Sequence, residues 1–203
     1  MKKLLLLPFL LSVFQTSFSQ TTFQKTYGNT NTDRANCVRQ TTDSGFVLAG
    51  YTTSLSSKVM LFMKTDKNGD TAFARIFNLS QSDLLYSVEQ TFDGGYVMLG
   101  SSETDLAFKV IKTDAYGDTL WCRRLIDGAQ YDYGFSIQQT SDSGYIMAGM
   151  TRHTGAAIAG QDDFHLVKLN TAGQLQWDKV IATGSTADFG EQFPYSVKQT
   201  LSG

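Results

Sequence analysis

Apolar residues along this chain fall into short blocks rather than helical stripes. Phe46-Val47-Leu48-Ala49, Tyr96-Val97-Met98-Leu99 and Tyr145-Ile146-Met147-Ala148 are apolar at four consecutive positions, and each block is closed by Gly at both ends. A short continuous apolar run between turn formers predicts a strand covered on both faces. Three further runs rich in β-branched and aromatic residues accompany each block. They are exemplified by Trp121–Leu125, Tyr133–Gln139 and Leu106–Ile111. No stretch beyond the first twenty residues shows a capped 3.6-residue period, so the expected class is all-β.

The blocks belong to a repeating phrase. Gln40-Thr41-Thr42-Asp43-Ser44-Gly45 returns as Gln90-Thr91-Phe92-Asp93-Gly94-Gly95 and as Gln139-Thr140-Ser141-Asp142-Ser143-Gly144, and a fourth copy begins at Gln199-Thr200. Two other anchors interleave with it. One is an aromatic two residues before a cation (Phe23/Lys25, Phe73/Arg75, Trp121/Arg123, Trp177/Lys179), and the other is a Lys-x-Asp/Asn-x-x-Gly turn ending at Gly69, Gly117 and Gly173. Read from one aromatic to the next, each unit holds four strands in the order aromatic-cation, Gln-Thr, apolar block and Lys strand. Asn68-Gly69 and the Asp-x-Gly turns supply hairpin chemistry. Four antiparallel strands in about 50 residues match a β-propeller blade better than a solenoid coil, and the count gives about 3.5 blades, an incomplete ring.

These motifs resemble those of exported bacterial β-propeller repeat proteins. The shared pattern is an aromatic-x-cation strand, a Gln-Thr-x-Asp-Gly-Gly-Tyr turn, an apolar strand closed by Gly, and Lys-Thr-Asp-x-x-Gly-Asp, and it covers residues 20–203. The resemblance implies a secreted or cell-surface location and often a C-terminal adhesin-like or sorting module. It implies no defined activity. Because the sequence stops inside the fourth repeat, the expectation is a repeat domain over 20–203 truncated within that repeat.

Composition refines the address. Lys2 and Lys3, the apolar Leu4–Phe14 stretch and Ser17-Phe18-Ser19 read as a signal peptide over residues 1–19. The apolar stretch is too short for a lasting anchor, so no membrane insertion is expected after cleavage. The formal net charge is −2, more acidic still without the two leader lysines, which gives no reason to seek nucleic acid. Cys37 and Cys122 occupy non-equivalent strands of different units, so two separate buried thiols are expected rather than a disulfide.

Chemistry is sparse. Asp66-Lys67-Asn68-Gly69-Asp70 resembles the opening of a calcium loop, but the copy at 114–118 loses the middle ligand and the copy at 170–174 both carboxylates, so a turn is the expectation and no metal. Gln40, Gln90, Gln139 and Gln199, with Asp33, Asp83 and Asp132, recur once per unit, as groups that satisfy backbone between sheets do. His165 stands where other units place Leu61 and Lys109 and is expected on an exposed strand face. No nucleophile elbow or metalloprotease helix occurs.

Insertions are more informative. Gly149 to Lys168 is longer than Gly50 to Lys64 or Gly100 to Lys112, and Trp177 to Gln199 is longer than its counterparts. Loops Thr151–Asp163 and Ala182–Gln192 therefore emerge on one face as the expected contact region, with Arg152, His153, Gln161, Asp162 and Asp163 as candidate binding residues. The function expected is a non-enzymatic exported scaffold for a protein or glycan, with no cofactor. The alternative is the propeller portion of a secreted carbohydrate-active or other hydrolytic enzyme whose catalytic residues lie elsewhere.

Overall fold

A computed structural model describes residues 22–28, 30–54, 57–104, 106–125, 131–152, 162–181 and 193–200. Residues 1–19, expected as a leader, lie outside them. Twelve strands form three separate four-stranded antiparallel sheets, and no helix occurs among the described residues. The first sheet holds β1 (Asp33–Gln40), β2 (Phe46–Ser54), β3 (Ser57–Thr65) and β4 (Thr71–Phe77). The second holds β5 (Asp83–Gln90), β6 (Tyr96–Ser102), β7 (Phe108–Thr113) and β8 (Thr119–Leu125). The third holds β9 (Tyr131–Gln139), β10 (Tyr145–Arg152), β11 (Asp162–Leu169) and β12 (Leu175–Ile181). Strands follow one another in sequence order within each sheet, with a bulge at Ala35/Cys37 and again at Leu85/Ser87 in the first strand.

This corrects the expected phase of the unit. The aromatic-cation strand closes a sheet as its fourth member instead of opening one, because the Lys-x-Asp/Asn-x-x-Gly turn before it is a tight hairpin that binds it to the Lys strand. Lys64 pairs with Phe73, Lys112 with Trp121 and Lys168 with Trp177. Sequence repetition alone does not show where one sheet ends and the next begins.

Two cores lie between the sheets. Val47, Ala49, Met60 and Phe62 of the first sheet meet Leu85, Val88, Tyr96 and Met98 of the second. The alternate residues of β6, Val97 and Leu99, meet Ile137, Tyr145 and Met147 of the third. Period-2 side-chain alternation thus sends the consecutive apolar run of β6 into two cores at once, and all seven of its residues are buried.

First strands touch, β1 against β5 and β5 against β9, whereas the fourth strands make no comparable contact with one another among the described residues. The sheets therefore fan outward from their first strands. Residues 193–200 run beside β9 and repeat its contacts: Ser136 Oγ accepts from Val197 N at 3.1 Å, as Ser87 Oγ accepts from Ile137 N at 3.3 Å. Cys37 and Cys122 are free, half-buried, and both pack against the core between the first two sheets.

Candidate functional site

Most of the repeated polar residues are consumed in building the sheets and their joints. In the β1–β2 turn, the Asp43 carboxylate accepts from Gly45 N and Thr41 Oγ1, and Lys64 Nζ reaches it at 2.8 Å while also donating to Thr65 O at 2.7 Å. Lys112 holds Asp93 at 2.9 Å and Lys168 holds Asp142 at 2.9 Å in the same way. A Cβ at Gly45 would lie 2.2 Å from Thr65 O and 2.4 Å from Lys64 Nζ, so the ammonium occupies the space a side chain would need. The Lys64 hydrogen bond, followed by that of Thr41, pulls the Asp43 carboxyl down to about 2. Ser44 and Ser143 adopt φ of 66° and 63° where the middle copy carries Gly94 at 81°.

The per-unit glutamines join neighbouring turns. Gln90 Oε1 accepts from Thr42 N at 2.8 Å, Gln139 Oε1 from Phe92 N at 2.7 Å and Gln199 Oε1 from Ser141 N at 2.8 Å. At the outer edge, Phe73 packs on Gly117 and Trp121 on Gly173. Arg75 donates to Tyr116 O at 2.9 Å and Arg123 to Ala172 O at 3.0 Å, each guanidinium lying over its own strand's aromatic ring.

The resemblance to a calcium loop has a plain structural outcome. Asp66 Oδ1 accepts from Asn68 N and Asp70 N at 2.8 Å, and Asn170 Oδ1 accepts from Ala172 N and Gln174 N at 3.0 and 2.9 Å. An amide oxygen does the same work as the carboxylate, which is what a turn needs.

His165 does not lie on an exposed face. It is 3% exposed, stacked at a tilt on Phe108 with centroids 5.3 Å apart, and its Nδ1 and Nε2 stand 3.8 Å from Asp132 and 3.5 Å from Asp178. Its position faces the neighbouring sheet. The second sheet places Lys109 there, which forms a buried ion pair with Asp83 at 2.7 Å. Strand alternation gave the right position but not the occupant of the opposite face.

Of the residues expected to bind, His153 and Gln161 lie outside the described residues. Arg152 and Asp162 face each other in the β10–β11 register, with Thr151 opposite Asp163. The side chains of Arg152 and Asp162 are not described, and loop 182–192 also lies outside. The ends of β10 and β11 that carry Arg152 and Asp162 lie opposite the tight turn between β9 and β10.

A cavity of about 950 Å³ opens at the tight-turn end, where the first strands converge. Arg39 and Gln40 line it from β1, Glu89 and Gln90 from β5, Gln138 from β9 and Lys198 from the 193–200 segment. Phe92 stands at its rim, 71% exposed. Burial pushes the Glu89 carboxyl up, against the opposing influence of Gln139 N, Arg39 and Lys198. Along the same converging strands Tyr86, Phe135 and Tyr195 form a chain of edge-on rings at 5.4 and 5.5 Å, and burial raises the Tyr86 phenol to about 12. The sequence signal for this cavity was the position two before each Thr of the turn phrase, where Arg39, Glu89, Gln138 and Lys198 all differ.

No protein-family model matches the chain, and no curated protein matches it. Among solved structures it is similar to the crystal structure of an ACO/RPE65 chimera, with a TM-score of 0.43 and 9% identity over 67% of this chain and 35% of that one.

Proposed function

We propose that the three sheets are consecutive blades of an exported β-propeller. In this reading the protein is a non-enzymatic scaffold that binds a protein or glycan at or outside the cell surface, through the cavity at the converging first strands. Radial fanning from touching first strands supports the propeller reading, and the apolar leader over 1–19 supports export. One observation carries the binding role. The turn Asp and Gln groups are tied into turns and joints, as are Glu89 and Gln138, while Arg39 and Lys198 at the equivalent positions around the cavity hold no neighbouring strand among the described residues. A repeat scaffold varies where it meets a ligand and repeats where it holds itself together.

The mature chain immobilised over glycan and peptide arrays tests this. Retention of a discrete ligand class, weakened about tenfold or more by Phe92→Ala, is the expected result for a rim contact of this exposure. Empty arrays, retention indifferent to that substitution, or turnover of the ligand would each remove the proposal.

A further inference from the structure

We infer that the cavity at the converging first strands takes an acidic saccharide, its carboxylates held by Arg39 and Lys198 and one sugar face laid on Phe92. This rests on the binding role proposed above and names its ligand class.

Four equivalent positions around the cavity divide into two kinds. Glu89 and Gln138 are committed to the scaffold: Glu89 Oε2 accepts from Gln139 N at 3.1 Å, and Gln138 Oε1 accepts from Gln199 N at 2.8 Å. Arg39 and Lys198 cannot accept. The Arg39 guanidinium donates only to the carbonyl of its neighbour Val38, at 3.3 Å, and Lys198 Nζ makes no hydrogen bond among the described residues. The cationic heads that line the cavity are therefore the groups left for a ligand, in a chain whose formal net charge is −2. Glu89 is the one carboxylate lining the cavity among the described residues; it attracts both cations, and one of its oxygens already accepts from Gln139 N.

A carboxylate is the matching anion, since guanidinium presents paired donors in carboxylate geometry. The Phe92 ring supplies an apolar face of the kind that packs against the C–H face of a pyranose. A peptide entering by strand addition finds four amides of β9 and residues 193–200 already taken. Ile137 N and Gln139 N are taken by Ser87 and Glu89, and Val197 N and Gln199 N by Ser136 and Gln138. The cavity volume is at the upper end of the usual range of about 300–1,000 Å³ for small-molecule sites, enough for a short oligosaccharide.

The test is titration of the mature chain with three probes in about 0.15 M salt, near physiological ionic strength. They are a uronate tetrasaccharide, its carboxyl-reduced counterpart and tetraglutamate. The uronate is expected to bind at least about tenfold more tightly than either of the others, and the double variant Arg39→Gln/Lys198→Gln to abolish that preference. Phe92→Ala is expected to weaken the uronate by about tenfold while leaving the charge preference in place. All three positions are exposed, and unchanged far-ultraviolet circular dichroism checks that the variants fold. If the reduced sugar binds as well as the uronate, the charge inference falls and the glycan-binding role stands. Equal or tighter binding of tetraglutamate makes the ligand an acidic peptide and overturns the saccharide assignment. Binding of no probe, on a protein that retains other array ligands, overturns it as well. Empty arrays remove both readings.

Discussion

The turn carboxylates and their lysines set the acid stability of single joints. Asp43 and Asp142 have carboxyls held below their ordinary range, foremost by Lys64 for Asp43 and by Thr140 then Lys168 for Asp142. A group whose pKa is depressed in the folded state contributes stability that is present above its unfolded value and lost as pH falls through the folded one. Denaturant midpoints should therefore be flat from neutrality to about pH 5 and drop from about pH 4 towards 2, the unfolded carboxyl titrating near 3.9. Lys64→Met should shallow that drop; an unchanged acid limb would show that the pair does not act this way. His165→Leu makes the opposite point. It would leave the buried Asp132 beside an apolar group and is expected to cost about 3 kcal/mol in urea unfolding, whereas Leu61 occupies the same place in the first sheet, where Asp33 is only half-buried. Residue chemistry was legible where it was local. The Asp-x-Gly turns and Asn68-Gly69 announced themselves, but the lysines that hold the turn carboxylates stand on another strand of the sheet, and nothing short of the fold brings them together.

At the scale of the strand, the apolar blocks were read correctly for a physical reason. Only a sheet packed on both sides makes consecutive positions apolar, and β6 shows this at every residue. The unit boundary was misplaced because repetition has no intrinsic starting point; tight hairpins at Gly69, Gly117 and Gly173 decide it. The fourth strands then act as outer clamps. Trp121 is seated edge-on against Tyr145 at 5.8 Å and over Gly173, while Trp177, its equivalent one sheet later, is 46% exposed. Trp121→Ala should cost about 3 kcal/mol by chemical denaturation, and Trp177→Ala under about 1 kcal/mol, the difference between emptying a packed contact and trimming an exposed one. Equal losses would mean that the two clamps are not distinguished by a neighbouring sheet.

Across the whole molecule, each sheet leans only on its neighbours, so the second, with cores on both faces, is the most heavily supported. The all-β class and the four-strand unit could be read from periodicity. The cavity could not, because Arg39, Glu89, Gln138 and Lys198 are far apart in sequence and become neighbours only when the first strands converge. Loop length pointed instead to the opposite end of the sheets.

The glutamine clasp, one amide oxygen capturing one turn N–H next door, has an evolutionary corollary. Since each clasp involves adjoining repeats alone, an in-register gene duplication would add a member without new bonding chemistry. In a propeller that change would also widen the central opening, so the number of copies a lineage retains would set the girth of the guest it can admit.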